Sequence, residues 1–249
     1  MTGAYNREKL LPRTIESVLS QTFKEFIYVI VNNGSVDQTQ NIIDRYTKLD
    51  SRIMPVIWEK NDENINLYDK VLAETYKLPF YFSIDDDDFM ENNTLETLYE
   101  LINSSGADIA SVGSKFAYPD GSTKNKYVFN ETYTLSRVEA MFELLKREKI
   151  NSARGGKLYR RELIEKIDFP ETSHIRDIHR EYRTMNNIKS MIITGKPLFY
   201  FYRHDNNVSG LETAEQITPE KMRQHLEANT MRTQWLTKHM SEIKDFVFY

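Results

Sequence analysis

Four consecutive aspartates, Asp85 to Asp88, close an apolar stretch that reads FYFSIDDDDFM. A run of like charge is ordinarily a solvated loop. This one follows directly on a segment of buried-strand character and is closed at once by Phe89 and Met90. Ligands of open α/β sheets bind beyond the carboxyl ends of the strands. Carboxylates packed together at such a place repel one another, and a cation relieves the repulsion. Hard oxygen donors with no His or Cys among them suit Mg²⁺ or Mn²⁺. Residues i and i+2 of an extended segment share a face, so Asp85 and Asp87 are expected to hold one ion.

The elements that must position this run alternate through the first half of the chain. Leu10, Leu11, Ile15, Val18 and Leu19 have helical spacing over residues 8–21, with Pro12 early enough to be tolerated. FIYVIV (26–31) is a short continuous apolar run of the buried-strand kind, and NNGS (32–35) is a turn. A helix to about residue 49, a strand over 53–58, a helix over 65–77, the strand 79–84, a helix to about 104 and a strand over 108–113 follow. The strand 53–58 contains Pro55, which places it near an edge. This order predicts an α/β fold, with a mostly parallel sheet flanked by helices on both faces. Farther on, helices are predicted over 136–147 and 160–166, and MIIT (191–194) and LFYFYR (198–203) read as two strands around a GKP turn. Thr218 and Pro219 open a last helix that runs to about residue 241.

The composition excludes several classes. The 249 residues carry a net charge of −4, which argues against nucleic acid as the main partner. There is no cysteine, so disulfides, thiolate metal sites and a Cys nucleophile are ruled out. MTGAYNREKLLP lacks the apolar core of a signal peptide, and no stretch approaches the ~18 apolar residues of a membrane span. A cytoplasmic location is expected, including the cytoplasmic face of the membrane.

Five segments in order resemble the landmarks of family 2 glycosyltransferases, the large inverting family with the GT-A fold. They are AYNREKLLPRTIESVLSQTF, VNNGSVDQT, SIDDDDF, GKLYRREL and FYFYRHDNNVS, and they extend over most of residues 1–210. The resemblance implies transfer of a sugar from a nucleotide-diphosphate sugar, by default a UDP-sugar, to a hydroxyl of a saccharide or lipid-linked acceptor, with Mn²⁺ or Mg²⁺ as cofactor. It implies that Tyr5, Asn6, Asn32, Asp85 and Asp86 bind the nucleotide sugar, and that Asp87 meets the metal directly beside Asp85. The family's catalytic base is an Asp in a Glu-Asp pair, roughly twenty residues after the Lys-Leu-Tyr-Arg landmark. HIRDIHREY falls at that distance from Lys157, which makes Asp177 the candidate, with Arg176 where Glu is usual.

The chain departs from the pattern in three places. Asn32 and Asn33 stand where the family carries acids, and an amide brings no charge. Asp69-Lys70 replace a frequent Arg-Asn, so Lys70 offers charge without a bidentate guanidinium. Only MTGA precedes Tyr5, where the family has its first strand, which leaves that strand missing, supplied otherwise or begun upstream.

Residues 1–215 read as one GT-A domain and 216–249 as a C-terminal helical extension. Trp235, Leu236 and Met240 on that extension are expected to pack on the domain, with peripheral membrane association or a homodimer contact as the alternative. His174, Arg176 and His179 are read either as acceptor contacts or as plain surface, and Arg203 and His204 either as diphosphate contacts or as an ordinary strand end. A haloacid-dehalogenase-like enzyme would carry its Asp-x-Asp on the first strand, and a nucleotidyltransferase would need a Gly-rich loop near its start; neither is present. The remaining alternative is a non-catalytic nucleotide-sugar-binding or scaffold protein derived from a transferase.

Overall fold

The computed structural model describes residues 1–61, 78–165, 176–204, 207 and 218–244. Ten strands and seven α-helices lie within them. The strands are β1 (Thr2–Ala4), β2 (Tyr28–Asn33), β3 (Ile53–Trp58), β4 (Phe80–Phe82), β5 (Phe89–Met90), β6 (Ile109–Ala117), β7 (Thr123–Tyr127), β8 (Thr132–Ser136), β9 (Lys157–Arg160) and β10 (Ser190–Tyr202). The helices are α1 (Leu11–Leu19), α2 (Thr39–Leu49), α3 (Thr94–Ser105), α4 (Arg137–Lys146), α5 (Arg161–Glu165), α6 (Arg176–Asn186) and α7 (Pro219–His239). The helix expected over 65–77, and Asp69 and Lys70 within or beside it, lie outside the described residues.

Two sheets meet at the acidic run. β1, β2 and β3 form a parallel three-stranded sheet in that order. β4-β9-β6-β10-β5 form the second, with β7 added on β6 and β8 on β10. β1 joins the two: Ile84 N donates to Met1 O at 3.1 Å, and the Met1 amine donates to Phe82 O at 2.8 Å. The strand before Tyr5 is therefore present, although only three residues long.

The α/β class and the helices on both faces are as the alternation predicts. The pairing is not uniformly parallel. Parallel pairs are β1–β2, β2–β3 and β6–β10, while β4, β5, β7, β8 and β9 all pair antiparallel. The GKP segment does not reverse the chain: β10 runs unbroken from Ser190 to Tyr202, and its register against β6 slips between Ile193 and Phe199. A bulge absorbs the residues that would otherwise form a turn.

The central strands have two buried faces, since alternate residues of a strand point to opposite sides. Ala110, Val112, Ile192, Phe199 and Phe201 pack with α1, α2 and α3. Ile109, Met191 and Ile193 pack with α4, α6 and α7. α4 begins with a capping box between Ser136 and Glu139, and Thr218 caps α7 by accepting from Lys221 N at 3.2 Å, with Pro219 following. Leu236 and Met240 are fully buried and Trp235 packs beside them, so this face of α7 lies on the domain.

Candidate active site

The aspartate run is a turn, not an extended segment: Asp88 N donates to Asp85 O at 3.3 Å. The i, i+2 argument for its geometry therefore fails, although Asp85 and Asp87 remain close enough for each to feel the other's charge. α1 fixes the turn. Arg13 Nη2 donates to Asp87 O at 2.8 Å and Thr14 Oγ1 to Asp88 O at 2.7 Å. The Arg13 guanidinium lies between two rings, 3.8 Å from the centroid of Tyr202 and 4.5 Å from that of Phe89. These contacts hold the turn to the end of β10.

The four carboxylates have different partners. Asp88 is buried and accepts from Tyr202 N at 2.9 Å. Burial, then the charges of Asp85 and Asp87, push its pKa well up. Asp86 accepts from Arg7 Nε at 3.0 Å and from Tyr5 N at 3.4 Å. Burial outweighs the Arg7 charge and raises the Asp86 pKa to about 6. Asp87 Oδ2 lies 3.0 Å from His204 Nε2 and accepts from Asn207 Nδ2 at 3.2 Å.

Asp85 differs from the other three. Its carboxylate makes no hydrogen bond among the described residues. It is exposed to solvent, yet burial by the protein packed around it is the largest influence on its carboxylate. That burial, followed by the charges of Asp177, Asp87 and Asp86, raises its pKa to about 8, against the opposing pull of Arg154.

Asp177 is therefore brought to the acidic turn. It is exposed in the first turn of α6, and of the neighbouring charges it acts most strongly on Asp85. One helical turn farther along, Glu181 anchors α6 from within. Lys157 Nζ donates to Glu181 Oε1 at 2.7 Å and to the carbonyls of Asn151 (2.6 Å) and Ala153 (2.7 Å). The Tyr159 hydroxyl lies 3.0 Å from Glu181 Oε2. Lys157 and Glu181 are 2% and 1% exposed, so this is a closed polar network and not a surface ion pair.

The other candidates lie on the first sheet. Tyr5 is exposed. Asn6 has a left-handed backbone (φ 53°), and its Oδ1 accepts from Val36 N at 2.9 Å. Asn32 is buried; its amide donates to Gln40 Oε1 at 2.7 Å and accepts from Ser35 N at 2.9 Å. Both ends of the Asn32 side chain thus shape the turn into α2. The Asn33 amide donates to Asn61 Oδ1 at 2.8 Å. His179 is buried, which corrects the surface reading, while His174 and the Arg176 side chain lie outside the description. Arg203 rests 4.4 Å over the Phe116 ring.

Sequence reasoning missed Arg7, Arg13, Arg154 and Glu181 as site-building residues. Their partners are 79, 74, 73 and 24 positions away, distances at which no local spacing rule applies.

The fold is that of a glycosyltransferase. The chain belongs to glycosyl transferase family 2, whose model matches residues 2–168. The glycosyltransferase GlyG of Streptococcus pneumoniae serotype 4 (strain ATCC BAA-334 / TIGR4) is 26% identical over 212 residues, covering 80% of this chain and 68% of that one. The poly(ribitol-phosphate) β-N-acetylglucosaminyltransferase TarP of Staphylococcus aureus (strain N315) is 31% identical over 109 residues, covering 42% of this chain and 32% of that one. The crystal structure of S. aureus TarS 1–349 in complex with UDP-GlcNAc superposes with a TM-score of 0.71 at 20% identity, over 97% of this chain and 72% of that one. That likeness establishes the GT-A fold. The chain spans 24 to 68% of the length of the curated relatives it matches most extensively.

Proposed function

We propose that the chain is an inverting, metal-dependent glycosyltransferase that moves a sugar from a UDP-sugar to a hydroxyl of a saccharide or lipid-linked acceptor. The observation that carries this reading is Asp85. It is a carboxylate without a hydrogen bond among the described residues, flanked by three more acids and by Asp177, at the meeting of the two sheets. Such an arrangement is unfavourable in isolation and becomes favourable with a bound cation and diphosphate. The UDP-GlcNAc complex of the structural neighbour TarS favours a uridine donor.

The donor set fits Mn²⁺ or Mg²⁺. Asp87 and His204 present a carboxylate and an imidazole 3.0 Å apart, with Asp85 nearby. Among the described residues no three acidic or histidine side chains stand close enough to hold a metal alone. Asp87 and His204, with Asp85 nearby, would hold an ion only together with oxygens of the donor diphosphate, so the ion and the nucleotide would bind together. A divalent cation so held neutralises the charge that builds on the leaving diphosphate.

This chain's own residues do the rest. Tyr5 and the turn around Asn6 flank the nucleotide. Arg7 holds Asp86 beside them. Asp177 accepts the proton of the acceptor hydroxyl as that oxygen attacks, which is worth about 10²–10⁴-fold for a positioned general base. A single base on the face opposite the leaving group gives inversion.

The test is a thermal-shift panel of nucleotide sugars with and without Mn²⁺, followed by donor hydrolysis and transfer assays. We expect UDP to stabilise the chain only with Mn²⁺ present, and Asp177→Asn to retain that stabilisation while losing transfer. Loss of both in Asp177→Asn counts against Asp177 as the base. Binding of UDP-sugar by the wild-type chain without any turnover selects the non-catalytic reading.

A further inference from the structure

Lys126 lies in β7 with its ammonium among three rings. Its Nζ is 4.0 Å from the centroid of Phe201, 4.6 Å from that of Phe116 and 5.2 Å from that of Tyr127. Ring faces attract a cation, but they do not replace its water or neutralise its charge. The residue is partly exposed, and its Nζ makes no hydrogen bond or ion pair among the described residues. Phe116 and Phe201 stand opposite each other in the parallel pair β6–β10, one residue before those strands end at Ala117 and Tyr202. The ring cage therefore sits at the carboxyl ends of the second sheet's parallel strands, where open α/β sheets meet their ligands.

The charges around Lys126 tie it to the acidic turn. Arg203 lies 4.4 Å over the same Phe116 ring, and Arg203 N donates to Ala117 O at 2.8 Å, which fixes the strand end. Asp88 feels the Arg203 charge and in turn acts on Lys126. Arg147 and Lys157 add to the positive side. Lys157 is matched by Glu181. Asp88 is buried with its own pKa pushed well up, so it is a weak counter-ion. Burial first, then the Arg203 and Arg147 charges, lower the Lys126 amine to about 7, against the pull of Asp88. A lysine so placed lowers stability, and an incoming anion relieves both its burial and its repulsion from Arg203.

We propose that Lys126 is the chain's own cation for the leaving diphosphate of the donor: its amine takes a proton from solvent as the nucleotide binds, and the ammonium pairs with a phosphate oxygen beside Arg203. The step is a protonation alone, in which R–NH₂ and H⁺ give R–NH₃⁺ and no covalent bond to the nucleotide forms or breaks. Lys126 answers to Asp88 and Arg203, on the side of the proposed metal holders Asp87 and His204, which is why the anion is the diphosphate and not a group of the acceptor. An ammonium is a compact point charge on a flexible stem, suited to a phosphate whose charge grows as it departs. The inference rests on the transferase reading for the identity of the anion.

The experiment is calorimetric titration of the whole chain with UDP and Mn²⁺ in buffers of different ionisation enthalpy, which counts the protons exchanged on binding. Wild type is compared with Lys126→Met and Lys126→Arg, so that protons exchanged by other groups and by the nucleotide cancel. We expect wild type to take up about one proton more than Lys126→Met at pH 8 and almost none more at pH 6. An amine titrating near 7 is mostly neutral at the first pH and already charged at the second. Lys126→Met should bind UDP about tenfold or more weakly, as truncating a charge-paired contact does. Uridine, which has no phosphate, should bind both alike. Lys126→Arg, charged throughout, should keep most of the UDP affinity and lose the extra proton. Equal proton counts or equal UDP affinity in wild type and Lys126→Met, or a parallel loss of uridine binding, overturns the proposal. If Lys126→Met does not fold, Lys126→Arg decides, and a proton count unchanged from wild type overturns it. If wild type binds no UDP, the transferase reading fails, and the titration is repeated with pyrophosphate. Proton uptake that Lys126→Met lacks then upholds the cation site, and its absence overturns the site as well.

Discussion

At the residue scale the aspartate turn stores unfavourable charge. Asp85 and Asp86 have pKa values raised to about 8 and about 6, each first by burial. A raised acid pKa means the folded chain holds protons that the unfolded chain has already released. Stability contributed by those protons is present at low pH and is lost as pH rises through the folded values. In EDTA the urea midpoint should therefore fall between about pH 4, near the unfolded carboxylate pKa, and about pH 8. Asp85→Asn should flatten that dependence, and Mn²⁺ with UDP should restore the midpoint at the alkaline end. A midpoint that rises steadily over the same range would contradict the burial of this charge. The four-aspartate run was legible in the sequence as a candidate site because carboxylates after a strand are chemically conspicuous. The division of labour within it was not. Asp88 is committed to Tyr202 and Asp86 to Arg7, partners 114 and 79 residues away, and only the folded chain brings them together.

At the element scale α6 carries the proposed base and must be held in place. Its exposed first turn carries Asp177, and its inner face is pinned by Glu181 to Lys157 and Tyr159. Removing one member of a buried ion pair strands the other, at a cost of about 3–5 kcal/mol. Glu181→Gln should lower both the melting temperature and kcat, with UDP affinity less affected because Tyr5, Asn6 and Asn32, the residues proposed to meet the nucleotide, lie at the first sheet. Lys157→Met/Glu181→Leu should recover much of the stability, since neither charge is then left unpaired. If kcat follows stability fully in the double variant, the network acts by stability alone. Helices α1 to α5 and α7 and strands β2, β3, β4, β6 and β10 were readable from periodicity and caps, as Thr218-Pro219 shows, whereas α6 and the short strands β5, β7, β8 and β9 were not. The GKP segment was misread because Gly and Pro mark a turn in one context and a bulge in another. Here Gly195 lies against the backbone of Phe129 and Gly113, a close approach that a side chain would block, and Pro197 pairs opposite Gly113. Tertiary packing decides between those outcomes, and local sequence does not contain it.

At the scale of the whole molecule, α7 closes the second face. Leu236 is fully buried there, and Leu236→Ala should cost about 2–5 kcal/mol, as truncations in packed interiors do. Chemical denaturation measures it directly; a change under about 0.5 kcal/mol, the size ordinary for surface substitutions, would show that α7 is only loosely docked. Among the described residues no helix is long and apolar enough to cross a membrane. β10 gives this scale its last consequence. Ile192, Phe199 and Phe201 belong to one interior and Met191 and Ile193 to the other, so a single thirteen-residue strand is a wall of both. Neither interior can dissolve while that wall stands, and neither survives its loss. Calorimetry should record one endotherm whose van't Hoff and calorimetric enthalpies agree, despite two hydrophobic nuclei and two sheets.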